Sequence, residues 1–213
     1  MRFRIPNSVA GIVLAGGGSR RMGADKCSLE LDGRALVQRA VDALNTVADE
    51  VVTVTAPGRP PPLVQSPGSL YHAVDSIAEG GPLVAILAGL EATSAPVAVT
   101  VACDLPFVRP DLLELLVERA RAGASFVVPV HEGRPQLLCS AWRGEASPLV
   151  RARVEAGDRA VHTMLNVLDA ELVPPDVWRV ADPEGRSFVN LNTPEEVARA
   201  RLSLDDPGSR ELP

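Results

Sequence analysis

A glycine-rich segment near the start of the chain carries the residues best suited to chemistry. It reads LAGGGSRRMGADK from Leu14 to Lys26 and follows a short apolar run. The three consecutive glycines Gly16–Gly18 leave the backbone bare, so that its N–H groups can approach an anion closely. Arg20, Arg21 and Lys26 follow, and both cation types pair with phosphate oxygens through charge-assisted hydrogen bonds. The segment predicts a phosphate-binding loop, with a tight turn bearing surface charges as the alternative.

Lys26 stands apart from the other basic residues. It is the one lysine among 21 basic residues, of which the remaining 20 are arginines. Lys presents a compact point charge, whereas Arg presents a planar fork of donors. The exception at position 26 indicates that a compact charge is needed there.

Two familiar glycine motifs do not fit this loop. The dinucleotide fingerprint G-x-G-x-x-G, started at Gly16, would need its third glycine where Arg21 stands. Gly18–Gly23 has the spacing of a P-loop, but Ala24–Asp25 follows where Lys and then Ser or Thr are required. The loop therefore belongs to neither class.

Two carboxylates follow strand-like stretches. Asp104 comes directly after an apolar run that ends at Cys103, so it projects from the carboxyl end of a predicted strand. Mg²⁺ is bound in proteins by one or two carboxylates together with substrate phosphates, which makes Asp104 a candidate metal ligand. Capping of the turn at Leu105–Pro106 is the alternative. Asp75 ends another strand-like stretch, where a ligand-facing carboxylate and a turn carboxylate are both open.

The segment NLNTPEE, from Asn190 to Glu196, combines helix-start and ligand-binding features. Thr193 and Glu196 have the spacing of a capping box, and Pro194 suits the first helical turn. Asn190 and Asn192 occupy alternate residues of an extended stretch, so their amides point the same way and can bind a polar ligand together.

The elements that must position these residues alternate between strands and helices. Short, continuously apolar runs, typical of strands covered on both faces, occur at Val9–Ala15, Glu50–Ala56, Pro96–Cys103 and Ala124–Val130. Apolar residues at helical spacing occur over 36–47, from Gly81–Pro82 onward and from Pro110 onward. This alternation predicts an α/β protein, a single-domain Rossmann-like three-layer αβα fold with a mostly parallel central sheet.

The pattern is weaker beyond residue 131. PQLLCSAW, residues 135–142, is predicted as a strand, and helices are predicted near 145–156, 158–168 and 194–204. Residues 58–69 are predicted as a loop. We expect one domain over residues 1–204 and a frayed tail over 205–213.

Composition narrows the class of protein. The chain has 213 residues, of which 46% are apolar and 23% charged, as expected of one globular domain with a filled core. No apolar run approaches the roughly 20 residues that a membrane helix needs, so we expect no membrane association and a cytoplasmic protein. The net charge of −6 argues against a broad nucleic-acid surface.

The cysteines and histidines do not suggest a reactive cluster. Cys27, Cys103 and Cys139 are far apart and lack C-x-x-C spacing, which predicts reduced, mostly buried thiols. The three histidines have no recognisable relation to a Ser or Cys nucleophile, so core or surface positions are expected for His72, His131 and His162.

Four segments resemble, in order, the motifs of the molybdenum cofactor guanylyltransferases, within the wider nucleotidyltransferase family. The glycine-rich segment is similar to L-A-G-G-x-S-x-R-M-G-x-D-K, and VDSIAEGGPLVAILAGL (Val74–Leu90) to D-x-x-x-x-x-G-P-L-x-G. ACDLPFV is similar to C-D-x-P, and FVNLNTPEEV to N-x-N-T-P-E-[DE]. The resemblance implies the nucleotidyltransferase fold, with a nucleotide half over 9–107 and an acceptor half over 108–204.

The resemblance also implies roles for individual residues. Lys26, Arg21 and Asp104 would be catalytic, and Asp104 would hold Mg²⁺, with Mn²⁺ as the alternative. Asp75 would read guanine, whose N1–H and N2–H donors suit a carboxylate. The residues implied to bind the nucleotide are Leu14, Ala15, Gly16, Gly17, Gly18, Ser19, Arg21, Lys26, Thr55, Asp75, Gly81, Pro82, Leu83 and Asp104. Those implied to bind the acceptor are Arg159, Asn190 and Asn192; for Arg159, within GDRAV, a solvent-facing side chain is the alternative.

Two positions depart from the family pattern. The second strand often ends there in a polar N- or S-A-N run, whereas this chain has Thr55-Ala56-Pro57. Ala85 stands where L-x-G has its glycine. Both positions bear on base contacts rather than on the metal or phosphate groups.

The activity implied is transfer of GMP from GTP to the terminal phosphate of molybdopterin, which releases pyrophosphate and forms molybdopterin guanine dinucleotide. A phosphate monoester has a second pKa of about 6 and is ionised at pH 7, so it needs no general base. Other molybdenum cofactor proteins would deliver or receive the pterin. The alternatives are a molybdopterin cytidylyltransferase, another NTP:phosphate nucleotidyltransferase and, from a different class, a non-catalytic nucleotide-binding module.

Overall fold

The structure, a computed structural model, describes residues 7–16 and 26–205. Its strands are β1 (Val9–Leu14), β2 (Glu30–Leu31), β3 (Arg34–Ala35), β4 (Glu50–Thr55), β5 (Ser69–Val74), β6 (Val97–Ala102), β7 (Phe126–His131), β8 (Arg134–Pro135), β9 (Cys139–Arg143) and β10 (Ala170–Val173). Its helices are α1 (Leu36–Leu44), α2 (Pro82–Ala92), α3 (Pro110–Ala122), α4 (Ser147–Glu155), α5 (Pro175–Trp178) and α6 (Pro194–Asp205). Short 3₁₀ turns lie at Lys26–Ser28, Gly144–Ala146, Val161–Asn166 and Arg186–Phe188.

One large sheet organises these elements. Its strand order is β5-β4-β1-β6-β9-β7-β10, with β8 paired to β7 at one end. Neighbouring strands are parallel except at β9, which runs antiparallel to β6 and β7, and at β8. The predicted α/β class with a mostly parallel central sheet is confirmed.

Helices cover both faces of the sheet because the strands are apolar on both sides. All six residues of β1 are buried. Val13 belongs to the core beneath α1 and α3, whereas Ile12 faces α2 and α4. A Cβ at Gly89 of α2 would lie 2.5 Å from Ile12 Cγ2, so this glycine lets the helix approach the sheet closely. The three-layer arrangement follows from this two-sided burial.

The helix predicted over 158–168 is wrong in type and extent. The chain instead forms a 3₁₀ turn over Val161–Asn166. Val161 and Met164 are the residues it buries, and their spacing of three brings both to the same side of a 3₁₀ turn. The predicted strand over 135–142 is confirmed only from Cys139 onward, as β9.

A small third core fastens the end of the chain to the start of the domain. It joins Leu31 and Leu36, beside the β2–β3 hairpin, to Leu191, Val197 and Ala200, in and before α6. Every one of these side chains is at most 5% exposed. The cluster therefore holds the segment with the two predicted amides against the segment that begins at Lys26.

The order of the strands creates a crevice. After β1 the chain passes outward to β4 and β5, and it then returns to β6 on the opposite side of β1. At such a reversal, the connections on either side leave the sheet in opposite directions, so a ligand can bind outside the carboxyl ends of the strands.

Candidate functional site

A cavity of about 310 Å³ opens at the carboxyl ends of β1, β4 and β6. Its wall is contributed by the ends of these strands, by the segment after β5 and by the start of α2. The lining residues include Gly16, Lys26, Ala56, Asp75, Glu79, Gly81, Cys103 and Asp104. The cavity therefore lies at the reversal of strand order.

An ion pair stands on the wall of this cavity. Lys26 Nζ donates to Asp104 Oδ2 at 2.5 Å and to Asn192 Oδ1 at 2.6 Å. The side chains of Lys26 and Asp104 are 16% and 18% exposed. The one lysine of the chain thus bridges the end of β6 and the segment before α6.

The second amide of the C-terminal segment reaches the same carboxylate. The orientation of the Asn190 amide is assigned from its hydrogen-bond partners. In that orientation Nδ2 donates to Asp104 Oδ2 at 2.8 Å and to Asp104 Oδ1 at 3.2 Å. The backbone N–H of Leu191 donates to the carbonyl of Asp104 at 3.0 Å. The structure therefore brings together Lys26, Asp104, Asn190 and Asn192, which lie far apart in the sequence.

A capping box explains how this segment is held. Glu196 N–H donates to Thr193 Oγ1 at 3.1 Å, and Thr193 N–H donates to Glu196 Oε2 at 3.1 Å. The N–H of Asn192 also donates to Glu196 Oε2. The predicted capping box is confirmed, and it fixes the backbone of Asn192 as well as the start of α6.

Asp75 forms a buried, acidic part of the cavity wall. It is 5% exposed, and its Oδ1 accepts from the N–H of Ile77 at 3.3 Å. Burial raises the pKa of this carboxyl, and the hydrogen bond from Ile77 opposes that shift. A polar ligand with N–H donors would relieve the cost of holding the carboxylate away from water.

Two glycines are required where the cavity wall is tightest. A Cβ at Gly16 would lie 2.7 Å from the backbone nitrogen of Ala56. Gly81 has φ of 79°, and a Cβ there would lie 2.9 Å from the carbonyl oxygen of Arg159. Both positions exclude a side chain, Gly81 through its left-handed backbone as well.

Several residues predicted to touch ligands do not line this cavity. Thr55 Oγ1 lies 3.2 Å from His72 Nε2, and Leu83 is fully buried in the core under α2. Ala15 is buried and donates its N–H to the carbonyl of Val54 at 2.8 Å. The predicted contacts at Gly17, Gly18, Ser19, Arg20 and Arg21 lie outside the described residues.

A second cavity of about 430 Å³ adjoins the first. The two share Gly81, Pro82 and Leu138, and Arg159 and His162 line the second alone. The Arg159 guanidinium donates to the carbonyls of Val154 and Asp158, each at 2.8 Å. Arg159 is therefore placed beside the site, with donors already committed to the backbone.

Some residues at the site were not anticipated. Glu79 lines the main cavity with φ of 58°, unusual for a residue other than glycine. Leu138 lines both cavities. Glu79 occupies an unspecified position of the motif between Asp75 and Gly81, and the place of Leu138 at the site became visible only in the folded chain.

The cysteines at the site are free and buried. Cys27 and Cys103 both line the cavity, and Cys27 Sγ donates to the carbonyl of Ala15 at 3.4 Å. A hydrogen bond with Cys27, together with burial, raises the pKa of the Cys103 thiol. All three cysteines are free and buried, as predicted. A raised thiol pKa disfavours the thiolate, so the geometry does not support cysteine nucleophilic chemistry.

The described part of the chain contains no cluster of three or more His, Cys, Asp or Glu side chains that could enclose a metal ion. Asp104 instead offers a single carboxylate at the mouth of the cavity, with the amide groups of Asn190 and Asn192 nearby. This donor set matches the way Mg²⁺ is held by one carboxylate and the phosphates of its substrate.

The Lys26–Asp104 ion pair lies on the wall of a largely apolar cavity, at the point where the strand order of the mostly parallel sheet reverses. This arrangement is typical of nucleotide-binding α/β proteins. Comparison with known proteins places the chain within that class. A family model described as MobA-like NTP transferase domain matches residues 11–172, and the chain belongs to this family of nucleotidyltransferases.

Individual relatives agree with this family. A protein of Chloroflexus aggregans named probable molybdenum cofactor guanylyltransferase is 33% identical over 208 residues, covering 92% of this chain and 95% of that protein. The crystal structure of molybdopterin-guanine dinucleotide biosynthesis protein A from Archaeoglobus fulgidus matches with a TM-score of 0.73 and 25% identity, covering 92% and 98% of the two chains. The resemblance inferred from the motifs is confirmed.

The fold extends to more distant structures. A manganese complex of Rv0371c from Mycobacterium tuberculosis H37Rv matches with a TM-score of 0.59 and 14% identity, covering 78% of this chain and 87% of that one. Within the described residues, the helices are too short or too polar to cross a membrane.

Proposed function

We propose that this chain transfers the GMP group of GTP to the terminal phosphate of molybdopterin, releasing pyrophosphate and forming molybdopterin guanine dinucleotide. The observation that carries the proposal is the convergence of Lys26, Asp104, Asn190 and Asn192 at the mouth of a cavity that also contains Asp75. Cation, carboxylate and amides are the groups that a nucleotidyl transfer requires. The names of the relatives support guanine as the base and molybdopterin as the acceptor.

The chemistry can be derived from the groups that converge. An oxygen of the acceptor phosphate attacks the α-phosphorus of GTP, and the bond from that phosphorus to the bridging oxygen of pyrophosphate breaks. The acceptor is ionised at neutral pH and needs no base. The protein therefore has to hold two anions in line and to compensate their charge.

Lys26 is placed to compensate that charge. Its ammonium group now contacts Asp104 and Asn192, and the same donors can turn to the phosphate oxygens of a bound nucleotide. The backbone N–H groups of the glycine-rich segment and Arg21 are proposed to act beside it. Asn190 and Asn192 are proposed to orient the acceptor, with the second cavity, beside Arg159, receiving the pterin.

Asp104 is the residue proposed to hold the divalent metal, Mg²⁺ with Mn²⁺ as the alternative. The single carboxylate at the cavity mouth fits a cation that takes its remaining ligands from substrate phosphates and water. Such an ion would neutralise phosphate charge during the transfer. Asn190, which donates to both carboxylate oxygens, would keep Asp104 in position.

The proposed substrates also suggest the surroundings of the reaction. Since GTP is the donor, we propose that the reaction takes place in the cytoplasm. Proteins that make or use the pterin are proposed to deliver the acceptor or to receive the product. No nucleic acid is needed for either role.

The first test is a panel of GTP, CTP, ATP and UTP with Mg²⁺, read as the rise in thermal midpoint Tm. A ligand at 100 times its Kd stabilises the folded chain by about 2.7 kcal/mol, so selective binding of GTP is measurable. Lys26→Ala should weaken the GTP effect and lower the rate of pyrophosphate release by about 100-fold or more.

Arg134→Ala is the matched control, because it also removes one positive charge but at an exposed position on β8. This variant should behave as the unsubstituted chain. A preference for CTP would replace the proposal by a cytidylyltransferase. No stabilisation by any nucleotide, or full turnover by the Lys26→Ala variant, would overturn it.

A further inference from the structure

Asp75 accounts for only one edge of a guanine base. Its carboxylate can accept from N1–H and N2–H, whereas O6 and N7 of the same base are acceptors that need donors. Among the described side chains lining the main cavity, the donors are Lys26 and the thiols of Cys27 and Cys103. Lys26 is committed to Asp104 and Asn192, and thiols are weak donors.

The end of β4 offers no donor to the base either. Thr55 Oγ1 lies 3.2 Å from His72 Nε2 and is engaged away from the cavity, and Ala56 and Pro57 have no polar side chain. Among the described residues that line the main cavity, the acceptor edge of guanine therefore finds no strong side-chain donor apart from the paired Lys26.

A third cavity, of about 340 Å³, is lined by such a donor. It is lined by Ala56, Pro57, Arg59, Ala78 and Glu79. Ala56 and Glu79 also line the main cavity, so the two cavities adjoin at these residues. Arg59 is therefore on the same side of the main cavity as the residues that flank Asp75 in the chain.

A tight turn fixes the backbone of Arg59 at this place. The N–H of Arg59 donates to the carbonyl of Ala56 at 3.2 Å, and Gly58 between them has φ of 78°. Proline at the second position and a left-handed glycine at the third are the residues of a type II turn. Thr55 Oγ1 adds a long hydrogen bond of 3.5 Å to the carbonyl of Arg59.

We infer that Arg59 is a specificity-determining residue that donates to O6 and N7 of guanine, while Asp75 accepts from N1–H and N2–H. The inference rests on the proposed function and adds a second reader of the base to it. Arg is always charged and presents donors in a fixed fork, which fits the two acceptors of guanine. Adenine presents an amino donor where guanine has O6, so the same guanidinium selects against it.

Nucleotide analogues test the inference without the acceptor. In 7-deaza-GTP a C–H group replaces the N7 acceptor, and in ITP the N2 amino group is missing. Kd values for GTP, 7-deaza-GTP, ITP and ATP are measured by calorimetry on the full chain and on Arg59→Ala, Arg59→Lys and Asp75→Asn. Arg134→Ala is the control for the loss of one positive charge.

Arg59→Ala should weaken GTP binding by about 10-fold or more and make GTP and 7-deaza-GTP bind equally. Arg59→Lys should keep the charge and retain only part of the preference for GTP over 7-deaza-GTP, because an ammonium group lacks the fixed fork of donors. Asp75→Asn should keep that preference while losing the preference for GTP over ITP.

The outcomes separate the inference from the proposed function. If Arg59→Ala retains the difference between GTP and 7-deaza-GTP, Arg59 does not read the base, although guanylyl transfer still stands. If the unsubstituted chain does not prefer GTP over ATP, the proposed function itself fails and the inference fails with it.

Discussion

At the scale of single residues, the site keeps opposite charges together until a ligand arrives. Lys26 and Asp104 are mostly withdrawn from water, and such a pair is stable only when further hydrogen bonds satisfy its remaining donors and acceptors. Asn190 and Asn192 supply them. In the proposed reaction, a substrate phosphate would take the place of Asp104 beside Lys26, and a metal ion would take the place of Lys26 beside Asp104. Binding would therefore leave neither charge unpaired.

Asp75 provides a prediction in which stability and function oppose each other. Burial raises the pKa of its carboxyl above the ordinary value of 3.8, so the ionised form is disfavoured in the folded chain. The folded state then binds a proton more tightly than the unfolded state, and this residue's contribution to stability is lost as the pH rises through the folded pKa. Asp75→Asn should therefore raise the Tm of the ligand-free chain at neutral pH and weaken its stabilisation by GTP.

The dependence of this Tm difference on pH shows whether the gain in stability comes from the ionisation of Asp75. The difference in Tm between Asp75→Asn and the unsubstituted chain should be absent below about pH 3.8 and grow to a plateau at higher pH; each kcal/mol corresponds to about 2–4 °C for a chain of this size. Scanning calorimetry across this pH range measures it, with the exposed Asp169→Asn as control. A variant that melts at or below the unsubstituted chain at neutral pH would contradict the prediction.

At the scale of elements, the start of α6 performs a positioning task. The carboxylate of Glu196 accepts from the N–H groups of Asn192 and Thr193, so the same side chain caps the helix and holds a site residue. The third core, around Leu191 and Val197, presses this segment onto the β2–β3 hairpin. Helix capping and packing together set where the amides of Asn190 and Asn192 stand.

Glu196→Ala should reduce transfer to the acceptor more than it reduces GTP binding. Loss of a cap costs the helix about 1 kcal/mol, and Asn192 also loses a backbone partner. The kcat/KM for the acceptor and the rise in Tm caused by GTP measure the two effects separately. Glu196→Gln keeps an acceptor oxygen for the capping box and should restore activity.

Thr193→Ala is the matched control, because it removes the other half of the cap but leaves Glu196 available to Asn192. Equal losses of acceptor kinetics in Thr193→Ala and Glu196→Ala would show that helix stability, and not the position of Asn192, is responsible.

At the scale of the whole molecule, one sheet runs through both halves of the chain. β6, from the first half, pairs with β9, which in turn pairs with β7 from the second half. The two main cores also contain residues of both halves, such as Ile12 and Trp142 on one face. We therefore keep the prediction of one domain over residues 1–204.

One cooperative unfolding transition should follow from this continuity. Hydrogen exchange of the β4 and β7 amides, measured by mass spectrometry in increasing urea, should show the same dependence on denaturant. Fluorescence of Trp142 and Trp178, buried on opposite faces of the sheet, should change over the same range. Loss of protection in β4 at a lower urea concentration than in β7 would show two separate units.

The sequence by itself determined the class of fold and the chemical groups of the site. Strands buried on both faces must be continuously apolar, so β1, β4, β6 and β7 were visible without a structure. The capping box could be predicted for a similar reason, since it depends on neighbours within a few residues. Local physics was sufficient for these features.

The tertiary structure decided which of these groups meet. The two-residue strands β2 and β3 contain no period to detect, and β10 is recognised only through its pairing with β7. Thr55 contacts His72 on the neighbouring strand, and Arg159 donates to a backbone carbonyl of α4. Neither contact could be predicted from the local sequence. The approach of Asn190 to Asp104 depends on a hydrophobic cluster formed by both ends of the chain. Contacts of this kind are specified by packing over long sequence separations, which no local pattern records.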